Sequence, residues 1–266
     1  MPVLDRSAAL TVLAEGEIEI VGRIVGSSNN ALLVTVSGGG SVAPASGGPG
    51  GPHGASRGDG ATPGEARVMR AVYKPTIGER PLDDFPDGTL TRREVAAWLV
   101  SEASGWGIVP PTVMREGPFG EGMVQAFIEV DPTVDVVAMV VEDDPRLRRM
   151  AAFDAAINNT DRKGGHILPV DGGRHVHGVD HGVCFSAVPK LRTVLWGWRG
   201  ESMEADELDG LIRIREALDG TLGASLGELL SRTEVLASLR RLDTLLTSGR
   251  FPLPSPTWPA VPWPPF

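Results

Sequence analysis

Apolar positions along the chain fall into two patterns. Ile18–Ile24 and Ala31–Val36 are β-branched runs of strand length, and Arg67–Lys74 is a third, stopped by Pro75. The linker Val25-Gly26-Ser27-Ser28-Asn29-Asn30 predicts a hairpin turn between the first two. Val113–Arg115 and Gly122–Val130 read as two further strands. Residues 4–15 read as a short helix, with Leu10, Leu13 and Ala14 sharing a face. Thr91 opens a second helix: Thr91-Arg92-Arg93-Glu94 fits a capping box, and Val95, Leu99 and Ala103 recur at helical spacing. The first 130 residues therefore read as an antiparallel sheet with one inserted helix.

Helical spacing dominates from Asp144-Pro145 onward. A helix is predicted through Ile157, followed by short strands His166–Val170 and His175–Val179 around the turn Asp171-Gly172-Gly173. Glu204–Leu218, Ser225–Leu230 and Glu234–Thr247 read as amphipathic helices. The fold class expected is α+β. A β-rich lobe over 1–130 would be followed by a helical lobe over 131–250, with a cleft between them.

Composition adds two appendages. Residues 38–66 hold 11 of the 34 glycines and no large apolar residue beyond Val42, so they are expected to form a disordered insertion. Residues 251–266 hold seven prolines with Trp258 and Trp263 among them, so that tail is expected to be extended or polyproline-like. Its tryptophans would pack on the body or meet a protein partner. A net charge of −9 argues against bulk nucleic-acid binding, and one cysteine excludes a disulfide framework. No apolar run approaches the roughly 20 residues of a membrane span, and the N-terminus does not read as a signal peptide. A soluble, cytoplasmic protein is expected.

The chemistry concentrates in Phe153–Phe185, where Asp161 and Asp180 lie on either side of the short hairpin. One carboxylate could orient a hydroxyl while the other holds a divalent cation. Four histidines fall at 166, 175, 177 and 181. A zinc site with Cys184 or Asp180 is one reading of them, and a solvated hairpin the other. Lys74 in an apolar strand needs a charged partner, which favours a functional role for it.

Asn159-Thr160-Asp161-Arg162 with Ile167-Leu168, then Val179-Asp180-His181-Gly182-Val183-Cys184-Phe185, resembles the catalytic loop and metal-binding element of phosphatidylinositol 3- and 4-kinases, the type II 4-kinases above all. Val72-Tyr73-Lys74-Pro75 is similar to their ATP-binding strand. Arg93–Leu99 with Val109-Pro110-Pro111-Thr112 is similar to the helix and strand that follow. The resemblance implies a two-lobed protein-kinase-like fold and γ-phosphoryl transfer from ATP to an alcohol group of a lipid, protein or small molecule. It implies that Gly26, Ser27, Ser28, Asn29 and Asn30 turn over the phosphates. Lys74 would contact those phosphates and pair with Glu94, with Glu102 as the alternative partner. Phe127, Ile128, Glu129 and Val130 would form the adenine hinge. Asp161, with Arg162 beside it, would serve the acceptor hydroxyl, and Asp180 would bind Mg²⁺ or Mn²⁺. The family has Asn where this chain has His166, a softer donor that suits Mn²⁺ better than Mg²⁺. A nucleotide-binding pseudokinase acting as regulator or scaffold is the alternative reading.

Overall fold

The computed structural model describes residues 6–24, 30–38 and 67–266. The phosphate turn expected at Gly26, Ser27, Ser28 and Asn29, and most of the 38–66 insertion, lie outside the described residues. The sequence-predicted elements are present with shifted ends. Helix α1 (Arg6–Glu15) precedes strands β1 (Glu17–Arg23), β2 (Leu32–Gly38) and β3 (Arg67–Pro75). Then follow α2 (Leu90–Ser104), β4 (Thr112–Gly117) and β5 (Gly120–Ala126). The five strands form one antiparallel sheet in the order β1-β2-β3-β5-β4. Pro75 does not stop β3 early: it sits opposite Gly122, at the end of the β3–β5 pairing. Phe127–Val130 are not strand but the chain that leaves the sheet.

The second half holds α3 (Val136–Val141), α4 (Arg148–Ile157), the hairpin β6 (Ile167–Val170) and β7 (His175–Gly178), then α5 (Ala205–Leu218), α6 (Thr221–Leu229) and α7 (Arg232–Ser248). The helix expected from Asp144 is broken. Pro145–Leu147 forms a 3₁₀ turn, capped when the Asp144 carboxylate accepts from the Arg146 N–H, and α4 begins after it. Helix α3 is too short to show a helical period in sequence, so it went unpredicted.

Two apolar cores divide the molecule. Val12 and Leu13 of α1 pack on Val34, Val36, Ala71, Tyr73 and Val124 of the sheet. The larger core joins α4, α5, α6 and α7 and includes Ala96, Ala97 and Val100 of α2. Helix α2 therefore belongs to the first 130 residues in sequence but buries its apolar face in the core of the helical half. That packing fixes α2 against the segments that carry Asp161 and Asp180.

The α2 N-terminus corrects the sequence reading. The helix starts at Leu90 and its N-cap, Thr89, makes no side-chain capping bond. The Glu79 carboxylate reaches over from the preceding loop instead. It accepts from the backbone N–H groups of Leu90 (3.0 Å) and Thr91 (2.8 Å) and from the Thr91 hydroxyl (2.8 Å). A carboxylate at a helix N-terminus satisfies orphan donors and complements the dipole. Glu94 is thereby freed from the capping box and turns toward β3.

Candidate active site

Lys74 stands near the end of β3, and its ammonium is the hub of the site. Nζ lies 2.5 Å from Glu94 Oε1 on α2 and 2.8 Å from Asp180 Oδ1, beyond β7. Glu94 is the partner rather than Glu102, which faces Arg6 of α1. The Glu94 side chain is 2% exposed, and its other oxygen accepts from the His181 N–H at 2.9 Å. One buried carboxylate thus ties the strand, the helix and the Asp180-His181-Gly182 turn together. Burial alone would push the Lys74 ammonium down, but Asp180 and Glu94 outweigh it and hold it above its ordinary value. Lys74 in turn is the chief reason Asp180 stays well below the usual carboxylate range, against the upward pull of burial.

Asp180 is set in a left-handed backbone conformation, φ 61°. Such a conformation is uncommon outside glycine, although Asp tolerates it better than most residues. Its second oxygen, Oδ2, is 3.3 Å from His166 Nε2. The His166 Nδ1 faces the Lys163 N–H at 3.5 Å, so with Nδ1 as acceptor the ring proton sits on Nε2, toward Asp180. Burial is the main reason the His166 imidazole lies below its ordinary value.

Asp161 projects from the loop after α4. Its N–H donates to Asn159 Oδ1 at 3.0 Å, and its carboxylate pairs with Lys163 Nζ at 3.1 Å. Sequence reasoning missed Lys163, although its position two residues after Asp161 was a usable signal. Arg162 lies behind the site. It is fully buried, bonded to both oxygens of the equally buried Asp154, to the Val179 carbonyl and to His181 Nε2 at 2.7 Å. Its grouping with the catalytic residues is therefore corrected: a guanidinium with no exposure cannot touch an acceptor, and it braces the loop. His181 is also turned inward, edge-on to Phe153. Burial and then Arg162 hold that imidazole well below its ordinary value, so it is neutral.

The segment expected to form the adenine hinge leaves β5 beside β3. The Phe127 N–H donates to the Arg70 carbonyl, the Arg70 guanidinium stacks 4.2 Å over the Phe127 ring, and Arg70 pairs with Glu129. Among the described residues, the backbone groups of Ile128, Glu129 and Val130 make no hydrogen bond. They are free to meet the edge of a planar base.

The zinc reading does not assemble. His175 Nε2 and His177 Nδ1 face the carbonyls of Gly107 and Ile108, and Cys184 is buried in the core. Among the described residues no group of three His, Cys, Asp or Glu side chains is placed to hold a metal. Lys190 is 8% exposed and pairs with Asp84 at 2.7 Å.

Lys74, Glu94, Asp180 and His166 are thus joined by direct contacts between the sheet, α2 and the hairpin region, and Asp161 lies near enough to His166 to act on it electrostatically. This is a two-lobed, α+β, kinase-like fold, and solved structures agree. Over 91% of this chain and 87% of the other, it is similar to the hydra Fam20 structure with sugar, at a TM-score of 0.52 and 13% identity. Over 90% and 94% it is similar to the Helicobacter pylori proinflammatory kinase CtkA, at a TM-score of 0.50 and 12% identity. The chain belongs to the family of Protein Rv2133c of Mycobacterium tuberculosis, with 38% identity covering 96% of this chain and 94% of that one. No family model matches it. The kinase-like fold expected from the sequence is borne out, whereas the phosphatidylinositol-kinase branch finds no support among these relatives.

Proposed function

We propose that this protein is an ATP-dependent phosphotransferase acting on an alcohol group. The observation that carries the reading is the Lys74 ammonium held between a buried helix carboxylate and Asp180, at 2.5 and 2.8 Å. An ammonium fixed in that way is a preorganised charge for phosphate oxygens. Glu94 fixes its position, so it need not reorganise when the nucleotide arrives. Lys163 offers a second cation beside Asp161, whose carboxylate would align an acceptor hydroxyl and take its proton. The free backbone of Ile128–Val130 would hold the adenine edge.

Asp180 is the chain's own donor for a divalent cation, and His166 would join it through Nε2 once the ring proton moves off that nitrogen. The side chain of Asp180 is 34% exposed, so an ion carried in on phosphate oxygens could reach it. A nucleotide-bound ion takes its other ligands from phosphates and water, so one carboxylate and one imidazole fit such an ion. The imidazole favours Mn²⁺ over Mg²⁺. Bound there, the ion would neutralise charge on the transferring phosphoryl group.

The acceptor class is lipid, protein or small molecule. A net charge of −9 and the lack of a polybasic cluster weigh against an anionic membrane surface. Purified protein with ATP and either metal should consume ATP, and Asp161→Ala should abolish that consumption. Nucleotide binding without turnover in either metal would replace this reading with a pseudokinase, which the His166–Asp180 contact favours as the second reading.

A further inference from the structure

The Pro/Trp-rich segment 251–266 does not hang free of the site. Phe251 is buried beside Trp198 and beneath Arg148. Farther on, the Trp258 ring lies 5.2 Å from Lys190 Nζ. The Ala260 carbonyl accepts from the Thr193 N–H (3.0 Å) and from Trp196 Nε1 (2.8 Å). The Pro265 carbonyl then accepts from the Gly164 N–H at 2.8 Å. Gly164 is three residues after Asp161 and two before His166. A Cβ built on Gly164 would run into the Phe266 ring, so the ring packs directly against that glycine.

The body beneath the segment is continuous with the Asp161 loop. Arg162 N–H donates to the Arg192 carbonyl, Arg192 N–H to the Asn159 carbonyl, and Val194 N–H to the Arg162 carbonyl, at 3.1, 2.9 and 3.1 Å. Three layers therefore lie side by side: the Asp161 loop, residues 190–196, and the segment 258–266. The seat is built for an extended chain. Backbone and indole donors point outward at Gly164, Thr193 and Trp196, and glycine leaves room for a ring. Proline-rich chain suits it, because prolines cannot donate and are already extended, so little conformational freedom is lost on docking. The hold is nonetheless light. Trp263 is 84% and Phe266 49% exposed, and among the described residues 258–266 receive three hydrogen bonds from the body.

We infer that residues 261–266 cover the acceptor side of the active site in cis. The strip through Gly164, Thr193 and Trp196 is a docking site for extended polypeptide bearing proline and an aromatic ring. The Asp161 side chain is 30% exposed with the cover in place, so a bulky acceptor must displace the cover to sit fully against it. This inference rests on the phosphotransfer reading above.

The test compares three chains: the full chain, one ending at Ala260, and Phe266→Ala. ATP affinity and ATP turnover to phosphate are measured for each, together with thermal stability. The chain ending at Ala260 should turn ATP over roughly tenfold faster than the full chain, as expected if the uncovered form is about a tenth of the population. Phe266→Ala should rise by less. A free synthetic peptide of residues 255–266, added in excess, should return the shortened chain to the slow rate. Equal or slower turnover by a shortened chain that binds ATP normally overturns the cover. A peptide without effect overturns the docking site. If the shortened chain does not fold, Phe266→Ala decides, and an unchanged rate there overturns the cover. ATP binding with no turnover by any of the three removes the phosphotransfer reading, and this inference with it.

Discussion

Lys74 shows how much one side chain can be asked to hold. Replacing it by Met would leave Glu94 buried with a single remaining partner, the His181 N–H. Breaking a buried pair from one side costs about 3 kcal/mol or more, because the surviving charge stays desolvated. Lys74→Met should therefore lower stability by about that amount in urea unfolding. Lys74→Met with Glu94→Gln should recover roughly half, since the fully buried orphan charge is removed and only the partly exposed Asp180 is left without its ammonium. ATP turnover should be lost in both. If the double variant is no more stable than the single one, the pair is not what ties β3 to α2. His166 poses a different question. As the partner of Asp180 at 3.3 Å, it would set which metal suits the site under the proposed phosphotransfer reading. His166→Asn exchanges an imidazole nitrogen for a carboxamide oxygen, and the ratio of Mg²⁺- to Mn²⁺-supported ATP turnover should rise several-fold. An unchanged ratio would place His166 outside the metal's reach.

Helix α2 is the element on which these side chains depend, and its anchors are mostly remote in sequence. Glu79 caps its start, and the buried Arg93 bonds the Cys184 carbonyl at 2.8 Å and Glu234 of α7 at 2.6 Å. Glu79→Ala would expose three donors at the start of the helix, and such a loss of cap costs on the order of 1–2 kcal/mol. Stability should fall by that much in urea unfolding, and ATP turnover should fall with it as Glu94 loses its fixed position. A drop in stability with turnover intact would show that the cap does not position Glu94. What could be read beforehand follows the same line. Strand and helix runs were legible because apolar spacing is local, and Lys74, Asp161 and Asp180 were legible because their neighbours form short motifs. The Glu79 cap was not, since it crosses a loop that carries no periodicity. Thr91 and Glu94 matched a capping box, yet the pull of a buried ammonium on Glu94 outweighed a local hydrogen bond. Arg162 was grouped with catalysis because its neighbour in sequence is Asp161, and only packing reveals that it faces Asp154. Trp258 and Phe266 were visible as residues, but their seats on Lys190 and Gly164 depend on the whole path of the tail.

At the scale of the whole molecule, the sheet-bearing and helical halves are held by a few seams, and one of them is expected to weaken in acid. The hairpin β6–β7 joins the chain just after α2. Gly178 N–H and His177 Nδ1 both face the Ile108 carbonyl, at 2.9 and 3.2 Å, and His175 Nε2 faces the Gly107 carbonyl at 2.9 Å. The two rings meet edge-on, with centroids 4.4 Å apart. Burial, with His175 adding to it, pushes the His177 imidazole down to about 4 from 6.5. Between those two values the unfolded chain binds a proton that the folded chain does not. Stability therefore rises with pH across that window and is lost as pH falls from 6.5 toward 4, by at most about 3 kcal/mol from this residue. His177→Gln keeps a donor for the Ile108 carbonyl and has no proton to gain. Its unfolding free energy, followed in urea from pH 7 to pH 4, should fall less steeply than that of the parent chain. Parallel curves would show that the acid sensitivity of this seam lies elsewhere. The prediction also separates the seam from the active site: at pH 7 the His177→Gln chain should bind ATP as the parent does, because none of the groups around Lys74 and Asp180 touches that ring.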